Sequence, residues 1–98
     1  MNSIGPESDS LENLLLAICS VETKEEALAF LNDLCTGKEI TEMAQRFDTA
    51  VKLYNGVNYL SLSADKGISS ATISRVNKCL KKNGGYVKAI EKLGLKKQ

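Results

Sequence analysis

The 98-residue chain has no histidine and no tryptophan, only one proline (Pro6), two phenylalanines, three tyrosines and three cysteines. Each scarcity removes a class of function. Without histidine the commonest general base and the usual zinc patterns are gone, and no cysteine has a plausible base beside it in sequence. Cys19, Cys35 and Cys79 are too widely spaced for a metal knuckle and form no disulfide framework; reduced thiols in the cytoplasm are the plain expectation. The acidic residues are scattered through the first two-thirds of the chain, not clustered as a metal-dependent nuclease needs. There is no glycine-rich phosphate loop. The longest apolar run, LLLAI, falls far short of the roughly 20 residues of a membrane span. These features predict a protein that is not an enzyme, binds no metal and does not enter a membrane.

What is present is a charge polarity. The net charge is only +1, but residues 1–65 hold four basic against eleven acidic side chains, and residues 66–98 hold nine basic ones against Glu91 alone. One end of the fold is therefore expected to meet a polyanion. The alternative is a pair of oppositely charged helices that neutralise each other.

The periodicity predicts an all-α chain of about six helices. Residues 1–9 are expected to be a flexible arm, followed by a single helical domain over 10–98. In SLENLLLAICSV, Leu11, Leu14, Leu15, Leu16, Ala17 and Ile18 cover most of a helix circumference, which calls for cover from several sides. A chain this short buries only about two-thirds of its unfolded surface, so that cover is expected from a second copy. Thr23 with Glu26, and Thr36 with Glu39, have the spacing of capping boxes. Ile40, Met43, Ala44, Phe47, Val51 and Tyr54 then recur at intervals of three and four until Gly56. Residues 10–56 read as dimerisation helices, and 86–93 as a C-terminal helix.

Residues 59–82 carry the chemistry. Leu62 and small Ser63 precede Gly67, and GISSATISRVNKCLKK follows, with Ser69 as a helix cap and Ile73, Val76 and Leu80 on one side. A small residue in a first helix, a glycine at the turn and apolar anchors on a second helix are the parts of a helix-turn-helix. The opposite face presents Ser70, Ala71, Ser74, Lys78 and Lys81, with Arg75 on its flank. Small side chains allow close approach to base edges in a major groove, and lysines reach phosphates. Only Arg75 offers bidentate base pairing, so readout is expected to lean on shape and water. The predicted DNA-binding set is Ser69, Ser70, Ala71, Thr72, Ser74, Arg75, Lys78 and Lys81, with double-stranded DNA as partner. The bland alternative is two packed helices with a solvated lysine face in a dimeric protein-interaction module.

Together, LCTGKEITEMAQRFDTAVKLYNG and GISSATISRVNKCLKK resemble the Trp repressor superfamily, most closely its Trp-repressor-like YerC/YecD branch, from about Leu11 to Leu93. The specific feature is AQR on a long helix paired with ATISR on the recognition helix. The resemblance implies an intertwined all-α homodimer with a helix-turn-helix on each side, acting as a DNA-binding transcriptional regulator, and a repressor by analogy. Two such heads would span successive major grooves, roughly 34 Å apart, on a pseudo-palindromic site. The family's founding member holds tryptophan between two arginines, and Arg46 and Arg75 match their positions as candidate ligand-binding residues. Here Val76 occupies the family's glycine position, Cys79 replaces a serine, and the chain is one residue shorter between Gly56 and Gly67. No tryptophan-like corepressor or other cofactor is expected. Arg46 then has the alternative of an ion pair with Asp48, Glu42 or a partner carboxylate.

Overall fold

A computed structural model describes residues 6–64 and 67–95. All regular structure among them is helical: α1 (Pro6–Ser20), α2 (Lys24–Leu34), α3 (Gly37–Tyr54), α4 (Tyr59–Ala64), α5 (Ser70–Lys81) and α6 (Gly85–Leu93). The chain divides into two compact units, one ending at Gly37 and the other starting at Lys38.

In the first unit, α1 begins at Pro6 rather than at Ser10, so residues 6–9 of the expected arm are helical. Proline suits a first helical position, where its missing N–H has no intrahelical partner to lose. Thr23 caps α2 by accepting the Glu26 N–H at 3.1 Å, as its spacing with Glu26 predicts. The Glu26 carboxylate returns the bond one residue further back than an ideal box, accepting the Glu22 N–H at 3.1 Å. Ile18, Val21, Ala27, Phe30 and Leu31 line an apolar hollow of about 250 Å³ between the two helices. No residue from 9 to 37 is fully buried. Leu11, Leu15, Leu16 and Ile18 of α1 and Leu28 and Leu34 of α2 each stay about half exposed.

The second unit has a core. Ala50 from α3, Val76 from α5 and Ile90 from α6 meet at no more than 1% exposure, and Phe47, Val51, Leu53, Tyr54, Leu80 and Tyr86 close around them. Leu62, Ile73 and Val87 are likewise buried. Thr49, buried and polar, donates its hydroxyl to the Gln45 carbonyl at 2.8 Å, so its burial leaves no orphan group. Gly56, at φ 86°, ends α3 as expected. The Val57 N–H bonds the Lys52 carbonyl at 2.9 Å and the Gly56 N–H the Leu53 carbonyl at 3.0 Å, the paired bonds of a Schellman terminus. Between α5 and α6 the left-handed residue is Asn83, at φ 56°, rather than either glycine after it, and α6 starts at Gly85. Asparagine tolerates this conformation better than most side chains do.

Two side-chain bonds tie the end of α3 to α6. Asn55 Nδ2 donates to the Leu95 carbonyl at 2.9 Å, and the Tyr54 hydroxyl donates to Glu91 Oε2 at 2.7 Å. That bond to a carboxylate, with its negative charge, raises the Tyr54 pKa above the ordinary 10. The neutral phenol is the form that donates, so this link is intact at neutral pH and is lost as the pH rises through the elevated pKa. Glu91→Gln is expected to bring one phenol ionisation down toward pH 10, read by ultraviolet titration; an unchanged titration refutes the link. Ile73→Ala, which empties a site with no exposure, is expected to cost about 2–5 kcal/mol in chemical unfolding.

Candidate nucleic-acid interface

Leu62, 1% exposed, anchors α4. Asn58 starts that helix: its Oδ1 accepts the Leu60 N–H at 2.6 Å and its carbonyl accepts the Leu62 N–H at 3.1 Å. The Ser63 hydroxyl is turned back on its own helix, donating to the Tyr59 carbonyl at 3.0 Å. Gly67 follows at φ 86°, a backbone conformation that side-chain-bearing residues rarely adopt. A Cβ there would lie 3.5 Å from Gln45 Nε2, an ordinary contact, so the backbone angle rather than crowding requires glycine.

Ser69 caps α5 in extended conformation, its Oγ accepting the Thr72 N–H at 3.1 Å while its hydroxyl donates to Thr72 Oγ1 at 3.0 Å. Ile73 and Val76, at 0% and 1% exposure, hold the helix to the body. Because they point inward, Ser70, Ala71, Ser74, Arg75, Lys78 and Lys81 point outward, and all six are exposed. Ser69 and Thr72, the other two residues of the predicted DNA-binding set, use their hydroxyls on each other at the cap; Thr72 is half-buried. Tyr59, which the sequence pattern did not single out, donates its hydroxyl to the Ser70 carbonyl at 3.2 Å and so ties α4 to the start of α5. An aromatic residue at the start of the first helix was the available signal.

Two hollows flank this head. One, of about 390 Å³, lies between α3 and the turn, lined by Glu42, Gln45, Arg46, Thr49, Gly67, Ile68, Ser69 and Thr72. The other, of about 540 Å³, runs along the outer side of α5 and includes Arg75. The two arginines of the candidate ligand pair thus line different hollows. Asp48, one of the carboxylates considered for Arg46, forms its ion pair with Lys52 instead, at 3.0 Å and one helical turn on. Val76 is packed in the core against Ala50 and Ile90. Cys19, Cys35 and Cys79 are free thiols. Among the described residues no group of histidine, cysteine or acidic side chains could hold a metal ion, and no helix is long and apolar enough to cross a membrane.

The family described as Trp repressor protein matches residues 9–94. The uncharacterized protein YerC of Bacillus subtilis (strain 168) is 40% identical over 84 residues, covering 85% of this chain and 81% of YerC. Among solved structures, a TrpR-like protein from Eubacterium eligens ATCC 27750 superposes with a TM-score of 0.83 at 38% identity, covering 92% of this chain and 94% of that one. A candidate Trp repressor from Staphylococcus aureus gives 0.82 at 32% identity, covering 92% and 91%. With a six-helix fold and a helix-turn-helix pattern that agree with these matches, the chain belongs to the Trp repressor superfamily, in its Trp-repressor-like YerC family.

Proposed function

We propose that this protein is a homodimeric, sequence-specific DNA-binding transcriptional regulator, acting as a repressor in the cytoplasm and reading the major groove with α5. The observation that carries this reading is the outward face of α5, where small Ser70, Ala71 and Ser74 are exposed ahead of Arg75, Lys78 and Lys81. Short side chains there let the helix backbone approach base edges, and the lysines behind them meet phosphates. Asp48 pairs with Lys52 within α3, and the hollow along α5 that Arg75 and Lys78 line has no acidic side chain in its lining. That favours an external polyanion over internal neutralisation.

Residues 10–56 supply the dimer contacts, 59–82 the reading head and 86–93 the closing helix. The half-exposed leucines of α1 and α2 support an intertwined second copy, which would cover them. In this reading the regulator works without tryptophan, since the position where the resemblance implies a glycine holds the larger Val76, packed in the core. No catalytic role is assigned to any residue.

The same leucines are what favour the second reading, a dimeric interaction module that docks a protein partner. Sedimentation equilibrium together with binding of a dye that reports exposed apolar surface separates the two: a stable dimer with α1 and α2 covered is expected, whereas a dimer that leaves those helices exposed supports the module. Selection from random duplexes is expected to enrich a two-fold symmetric consensus, and no enrichment contradicts the regulator. Lys78→Ala with Lys81→Ala is expected to weaken binding alike across sequences and to reduce the log–log salt slope by about 0.9 for each phosphate that is no longer neutralised. Ser70, Ala71 or Arg75 replacements are expected to change sequence preference instead.

A further inference from the structure

The hollow along the outer side of α5 is lined by Ala71, Ser74, Arg75, Lys78, Cys79 and Lys82. Three of these side chains are cationic and none is acidic. Ala71, Arg75, Lys78 and Lys82 fall at i, i+4, i+7 and i+11, a single stripe along the helix and its cap residue. This stripe lies opposite Ile73, Val76 and Leu80, so Lys78 and Lys82 stand on the exposed face with Arg75 on its flank. Lys82 also lines an adjoining apolar recess with Cys79, Gly84, Gly85 and Tyr86.

We propose that Lys82, together with Lys78, clamps a backbone phosphate of duplex DNA in this hollow, beside the base-reading Arg75. The proposal rests on the DNA-binding reading and adds to it a residue outside the predicted set and the group that residue binds. Like charges gathered without a carboxylate repel one another; a phosphate oxygen relieves that repulsion and can also take a hydrogen bond from the Ser74 hydroxyl. The competing explanation is local. Lys82 is the C-cap of α5, where a cation is favoured by the helix dipole whether or not DNA is present.

Lys82→Gln and Lys82→Arg, with Lys88→Gln on α6 as a control, distinguish the two. Affinity for the selected duplex and for an unrelated one is measured over a salt series, and thermal midpoints are recorded in parallel. With the clamp, Lys82→Gln weakens both duplexes several-fold by a similar factor and lowers the salt slope by about 0.9. Lys82→Arg keeps both the affinity and the slope, and Lys88→Gln keeps the wild-type slope. A wild-type slope in Lys82→Gln, with or without a lower thermal midpoint, overturns the clamp and leaves the DNA-binding reading intact. Equal slope losses in Lys82→Gln and Lys88→Gln also overturn it, since they reflect overall charge. Wild-type protein with no salt-dependent binding to any duplex overturns the underlying reading itself.

Discussion

The helix-turn-helix depends on two side chains, Ile73 and Val76, driven out of water into the second unit. Both are buried, and Val76 shares its site with Ala50 of α3 and Ile90 of α6. Burying two such groups is worth several kcal/mol, more than the cap or any single surface contact contributes. Because helical residues repeat every 100°, fixing these two inward determines what α5 shows to solvent. Ser70, Ala71, Ser74 and Arg75 are outward as a consequence. The same packing gives Val76 a structural duty that a glycine could not perform.

The two units differ in how they solve the burial problem. The second gathers Ala50, Leu62, Ile73, Val76, Val87 and Ile90 into true interior sites from four helices. The first has two helices, and two helices cannot enclose a core: its leucines remain about half exposed. Thr23 and Glu26 give α2 a well-formed start, but capping worth about 1 kcal/mol does not replace an interior. A partner surface is the physical remedy for such a unit, and this ties the proposed homodimer to the stability of the chain.

Much of the fold was legible in local chemistry. Ser69 and Thr23 mark helix starts because their hydroxyls match the N–H groups three residues on, and Gly56 marks a stop because a left-handed residue is needed there. The start of α1 was not legible from periodicity, since PESD contributes no apolar stripe; only the preference of proline for a first turn pointed to it. The choice of Asp48 for Lys52 over Arg46 follows from spacing, because an acid four residues before a base is a favoured helical pair. The outward set on α5 was visible in projection. What projection misses is tertiary: the Tyr59 bond to Ser70, the separation of Arg46 from Arg75, and the place of Lys82 beyond the last helical residue all depend on how neighbouring elements pack.

The most direct measurement of the central claim is an isotope-edited NMR titration of the protein with a selected duplex. The account predicts that the largest amide perturbations fall on residues 70–78 of α5 and at the turn before it, with α1 and α2 little changed. Perturbations concentrated on α1 and α2, with α5 silent, would contradict it.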